Sequence, residues 1–96
     1  MATVGRKKTM LRLRLYVAGN APNSLRAIAN AQAICDKHFA ARYQLEIVDL
    51  LTQPRRALDD RIVVTPTLLK LLPLPEHRLI GDLSDTNQLL QTLSNT

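Results

Sequence analysis

A single thiol, a pair of imidazoles and a glycine-led turn are the groups in this chain that could do chemistry, and their spacing decides what each can do. Cys35 is the only cysteine among 96 residues, so an intrachain disulfide is impossible. Dithiol exchange needs a thiolate pair, and the turn after the first predicted strand, where such a pair would serve it, reads Asn20-Ala21-Pro22-Asn23. Cys35 itself falls mid-helix on an apolar stripe, which reads as a small buried hydrophobe rather than a reactive thiol. His38 and His77 stand apart with no ligand spacing for zinc, and both are expected at the surface. Gly19-Asn20 lacks the Gly-Lys-Ser/Thr ending of a phosphate loop, so it reads as a structural turn. Ser, His and Asp all occur, as they do in any chain of this length, without a spacing that suggests a triad. No catalytic residue, metal ligand or cofactor is expected, and the protein reads as a non-enzyme.

The elements that must position these groups begin with Leu11 to Phe39. Leu11, Leu13, Leu15 and Val17 alternate with Arg12, Arg14 and Tyr16, the period of a strand buried on one face. Gly19 tolerates a positive φ and Pro22 fixes its own, so residues 18–23 are expected to form an ordered turn. Asn23 or Ser24 is expected to cap a helix whose apolar stripe runs Leu25, Ile28, Ala31, Cys35, Phe39. A second strand follows at Tyr43–Asp49, expected parallel to the first with the helix as a right-handed crossover. Pro54 suits the first turn of a short helix over residues 55–60. Ile62, Val63 and Val64 are consecutive β-branched residues and predict a buried strand. Leu68 to Leu72, surrounding Lys70, is too short for periodicity to decide between helix and strand. Pro73-Leu74-Pro75 predicts a stiff turn, Arg78-Leu79-Ile80 a short strand broken by Gly81 and Asp82, and Ser84 or Asp85 the cap of a last helix carrying Leu89, Leu90 and Leu93.

Size and composition bound the rest. Ninety-six residues with 46% apolar content make one globular domain, here residues 11–96 behind a basic segment 1–10. No apolar run reaches the roughly 20 residues that span a bilayer, and the alternation of Leu and Arg after residue 10 lacks a signal-peptide core. A cytoplasmic protein without membrane contact is the expectation. The net charge of +5 favours anionic partners. Its arginines and lysines are dispersed and not interleaved with stacking aromatics, which argues against a nucleic-acid binder.

The predicted order β-α-β-α-β-β-α is that of a thioredoxin-like domain, with Pro66 where that fold has its cis-proline. Three stretches narrow the likeness: LYVAGNAPNS, VTPTLLKLLPLP and RLIGDLSD. In combination they resemble the KaiB family of bacterial circadian-clock proteins, over residues 11–93. The resemblance implies a metamorphic α/β domain with two folds. One is a resting homotetramer of order β-α-β-β-α-α-β, and the other a partner-bound, thioredoxin-like monomer. It implies a regulatory adaptor that binds a KaiC-like hexameric RecA-type ATPase and recruits or displaces KaiA-like and SasA-like partners. A KaiB-like stress or signalling protein outside a clock is the alternative, and a thioredoxin-fold redox protein is disfavoured by the missing Cys-x-x-Cys.

The resemblance places basic residues of the KaiC-binding surface at Arg26, Lys70 and Arg78. As bare residues these read as solvated charges, although a guanidinium can hold a carboxylate in two parallel hydrogen bonds. Gly19, Pro22, Pro66, Pro73, Pro75, Gly81 and Asp82 are expected to be structural or to take part in a change of fold.

Overall fold

The computed structural model describes residues 10–94; the basic segment expected over 1–10 lies, Met10 apart, outside them. The elements are β1 (Leu11–Val17), α1 (Pro22–His38), β2 (Tyr43–Asp49), α2 (Pro54–Asp59), β3 (Thr67–Leu72), β4 (His77–Ile80) and α3 (Thr86–Ser94). They form a four-stranded sheet of order β2-β1-β3-β4. β2 runs parallel to β1 through the α1 crossover, while β3 is antiparallel to β1 and β4 to β3. The thioredoxin-like order expected from the sequence is the order observed.

One face of the sheet carries the main core. Leu11, Leu13, Leu15 and Val17 of β1 and Leu68 of β3 pack against Ala27, Ala31, Ile34 and Cys35 of α1, with Leu89 and Leu93 of α3. Each fully buried leucine contributes about 2 kcal/mol by removal of apolar surface from water. The α1 stripe differs from the one expected. Leu25 is 50% exposed, whereas Ser24, Ala27, Ala31, Ile34 and Cys35 are buried. Small side chains let the helix lie close on the sheet, so the buried line follows Ser and Ala rather than the larger Leu25. Pro22 belongs to the first turn of α1 rather than to the preceding loop, and Ala21 is the N-cap without a side-chain cap bond. Ser24 instead accepts a hydrogen bond at Oγ from the Ala18 N–H at 3.1 Å, tying the helix to the turn. At α3 the expected Asp85 cap is present: Oδ1 accepts from the Gln88 N–H at 3.0 Å.

The opposite face is covered at one end by α2. Tyr16, read from its alternation as solvent-facing, is 0% exposed and packs with Val48, Ala57 and Leu69. The strand is therefore buried on both faces near its C-terminal end. Ile62-Val63-Val64 is not a strand. Val63 is 88% and Val64 44% exposed, and the strand begins later, at Thr67. The β-branched run is followed at once by Thr65-Pro66, a cis peptide, and Leu72–Pro73 and Leu74–Pro75 are cis as well. The leucine run that periodicity left open is β3. It carries a bulge opposite β1, where Arg12 pairs with Leu72 but Leu13 with Lys70, leaving Leu71 as the extra residue.

A charge network fastens α2 to the sheet. Arg14 donates through Nε to Glu46 Oε1 and through Nη1 to Asp60 Oδ2, both at 2.9 Å. Arg56 meets both Glu46 oxygens, at 2.5 and 2.9 Å. The Tyr16 hydroxyl lies 2.6 Å from Asp60 Oδ2 and 2.9 Å from the Arg56 carbonyl oxygen. Arg56 and, less strongly, Arg14 pull the Glu46 carboxyl down to about 2, against the opposing effect of burial. Burial works against the Asp60 carboxylate, yet the Tyr16 hydroxyl and Arg14 hold it below its ordinary value.

Candidate partner-binding surface

The strand register brings four connections to one end of the sheet. The turn after β1, the loop after β2, the Pro66 loop before β3 and the loop after β4 all lie there, because Tyr16 pairs with Val48 and Thr67, and Thr67 with Ile80. Gly19 adopts φ +55°, and a Cβ there would approach Leu51 Cδ1 to 3.1 Å. Its N–H donates to Asp49 Oδ1 at 3.0 Å, which ties the first turn to the end of β2. Gly81, at φ +115°, donates its N–H to the Pro66 carbonyl oxygen at 3.0 Å and so joins the last loop to the proline loop.

Arg26 stands at the edge of this end, its side chain 56% exposed and 3.3 Å through Nε from Asp82 Oδ2. It also donates to Asn23 Oδ1. Asp82 accepts the Ser84 N–H at 3.0 Å, and Asn30 Nδ2 donates to its carbonyl oxygen at 2.9 Å. Hydrogen bonds from Ser84 first, then from Arg26, hold the Asp82 carboxyl below its ordinary value. Leu25, Leu51, Val63, Val64 and Ile80 add exposed apolar side chains from the same end, at 50%, 66%, 88%, 44% and 68% exposure. Sequence reasoning missed Leu25, Val63 and Val64 among these, because it placed Leu25 in the core and Val63 and Val64 in a buried strand.

Arg26, Lys70 and Arg78 do not converge on one patch. Lys70 pairs with Leu13 and His77 and is 1% exposed. Its side chain is covered in this fold, and burial lowers the ammonium pKa. The period of 2 sends Leu68 and Lys70 to the same covered face, a placement the flanking leucines disguise. Arg78 is exposed, but its guanidinium donates to the carbonyl oxygens of Asp60 and of Arg61, the latter at 3.1 Å. It thereby caps the carboxyl end of α2. Arg26 lies on α1, across the sheet from α2.

The remaining candidates are structural in their surroundings. Cys35 is fully buried, and burial followed by the nearby Asp36 pushes its thiol up to about 11. His38 is exposed, but His77 is only half-buried rather than at the surface, and its Nε2 has no hydrogen-bond partner among the described residues. No group of His, Cys, Asp or Glu with metal-binding geometry occurs among the described residues. No described helix is long and apolar enough to cross a membrane.

The KaiB domain model matches residues 14–95. The circadian clock oscillator protein KaiB of Prochlorococcus marinus (strain MIT 9312) is 49% identical over 84 residues, spanning 88% of this chain and 79% of that protein. The chain belongs to the KaiB family. A second KaiB relative, the circadian clock protein KaiB3 of Synechocystis, is 50% identical over 78 residues, 81% of this chain and 76% of that one. Among solved structures, the N-terminal domain of Synechococcus elongatus SasA superposes with a TM-score of 0.75 at 29% identity, over 100% of this chain and 94% of that domain. Chloroplastic thioredoxin z matches with a TM-score of 0.73 at 17% identity, over 90% and 77% of the two chains, a likeness of fold alone. In this KaiB-family domain the position of a thioredoxin dithiol is held by Asn20-Ala21-Pro22-Asn23.

Proposed function

We propose that the protein is a clock-type regulatory adaptor that binds a KaiC-like hexameric ATPase and competes with a SasA-like sensor kinase for it. The observation that carries this reading is the whole-chain likeness to the SasA N-terminal domain at 29% identity, in a chain of the KaiB family. Two proteins of one fold and related sequence are suited to occupy one surface in turn. Arg26 is the contact residue we assign, because its guanidinium is exposed at the loop end and held in place by Asp82. A KaiA-like protein is a further partner of the bound form. A resting homotetramer with a rearranged C-terminal half would store the protein between binding events. The missing thiolate pair separates this reading from disulfide chemistry.

Titrating fluorescently labelled protein with a KaiC-type hexamer tests it. Arg26→Ala should weaken the complex about tenfold, the effect of one charge-assisted hydrogen-bonded contact. Equal affinities for the Arg26→Ala variant and the parent would remove Arg26 from the interface. Turnover of an insulin disulfide, lost in Cys35→Ala, would replace the adaptor with a redox protein.

A further inference from the structure

Residues 54–65 are held to the domain chiefly by side chains rather than by backbone hydrogen bonds. α2 buries one of its residues, Ala57, and turns Leu58 outward at 77% exposure. Among the described residues its backbone–backbone hydrogen bonds are internal or reach back only to Gln53, as in Arg61 N–H to the Leu58 oxygen and Ile62 N–H to the Ala57 oxygen. The next backbone–backbone bond comes at Pro66, whose carbonyl oxygen accepts from the Gly81 N–H, and at the strap's far end the Thr67 hydroxyl of β3 donates to the Val64 carbonyl oxygen at 2.7 Å. Side-chain contacts bridge the gap: Arg14 and Tyr16 of β1 to Asp60, Glu46 of β2 to Arg56, the Tyr16 hydroxyl to the Arg56 carbonyl, and Arg78 of β4 to the Asp60 and Arg61 carbonyls.

We propose that residues 54–65 are a strap latched to the sheet by the network of Arg14, Tyr16, Glu46, Arg56, Asp60 and Arg78, and that the strap opens as a unit while the rest of the domain stays folded. A segment with little buried apolar area opens at a lower free energy than the core strands. Half-exposed ion pairs are also weakened by salt, whereas apolar burial is not. Opening uncovers the apolar surface of Val48 and Leu69 and the Tyr16 ring, a face that the closed form hides. The titratable and charged groups of the latch are those six, with Arg55, Asp59 and Arg61 exposed on the strap beside them; five arginines stand against three carboxylates, and dissolved ions compete for these partly exposed pairs. The helical part of the strap lies on the other side of the sheet from Arg26, while its last residues, Val63 and Val64, run into the loop end where Arg26 stands.

Native-state hydrogen exchange on the full chain tests this. The amides of Asp60, Arg61 and Ile62 should exchange at least about a hundredfold faster, after correction for intrinsic rates, than those of Leu13 and Leu15 in β1. Raising salt from about 0.05 M to 1 M should accelerate the strap amides several-fold and leave β1 unchanged. Arg56→Leu, which removes both bonds to Glu46, should accelerate them about tenfold. Tyr16→Phe, which keeps the ring and removes only the hydroxyl, should act in the same direction. Equal protection of strap and β1 amides would overturn the proposal, as would either variant lowering both sets by the same factor or leaving the strap unchanged.

Discussion

Glu46 lies between the guanidinium groups of Arg14 and Arg56, and that placement gives the fold an acid-sensitive contribution to its stability. Its carboxyl titrates at about 2 instead of its ordinary 4.5, chiefly through Arg56. A carboxylate depressed in the folded state stabilises fully above its unfolded value, so this contribution is complete above pH 4.5 and fades as the pH falls towards 2. With the side chain 46% exposed, solvent screening keeps its worth to about 1 kcal/mol. Urea denaturation of Glu46→Gln should show a flatter acid limb than the parent; the same slope in both proteins would contradict the pairing. On the alkaline side, burial and then Asp60 push the Tyr16 phenol from 10.0 up to about 12. A raised pKa means stability present below pH 10 and lost between 10 and 12, a limb that Tyr16→Phe should abolish. Gly19 offers a backbone test: at φ +55°, Gly19→Ala should cost about 1 kcal/mol, read as a lower urea midpoint. Leu51, whose tip faces the new methyl, is exposed and can yield, so the cost is the backbone's.

Helix α1 lies on the sheet through small side chains, and substitutions that enlarge them report how closely. Ala31→Leu should destabilise by about 1–3 kcal/mol through overpacking. Leu25→Ala, at a position 50% exposed, should cost under about 1 kcal/mol. The reverse ranking in thermal or urea unfolding would restore Leu25 to the core. β1 and β2 are legible in the sequence because Leu11–Val17 and residues 43–47 alternate, although in β2 Ile47 is 38% exposed and Val48 is buried, and the order of elements follows from them and from the Pro54 and Asp85 helix starts. The stripe of α1 is legible at Ile28, Ala31, Cys35 and Phe39 but not at its start, because hydrophobicity ranks Leu25 above Ser24 and Ala27, whereas the buried line there is set by the distance between helix and sheet. Ile62–Val64 misleads because β propensity describes fit to a pleated surface, and no strand lies beside these residues to supply one. Lys70 cannot be placed from its leucine neighbours, since strand and helix are both open there. The ion network is invisible for another reason: Arg14, Glu46 and the pair Arg56 and Asp60 belong to three separate elements and meet only once β1, β2 and α2 are assembled.

As a molecule, the protein combines the thioredoxin-like arrangement with KaiB-family sequence, and its oligomeric behaviour follows from the proposed storage form. Association stabilises whichever fold assembles, by mass action, while a monomeric competitor gains nothing from concentration. Light scattering over a dilution series should therefore show tetramer giving way to monomer, with NMR shifts of residues 55–93 changing in step. Monomer at every concentration, with β4 at His77–Ile80 and α3 at Thr86–Ser94 retained, would mean that the fold described here is the resting one as well. The adaptor reading itself rests on partner binding. Sedimentation velocity of the labelled protein mixed with a KaiC-type hexamer holding hydrolysed nucleotide measures it most directly. The labelled chain should co-sediment with the hexamer, and an unlabelled SasA N-terminal domain should displace it. A labelled chain that sediments alone at every hexamer concentration and in every nucleotide state would contradict the assignment as an adaptor.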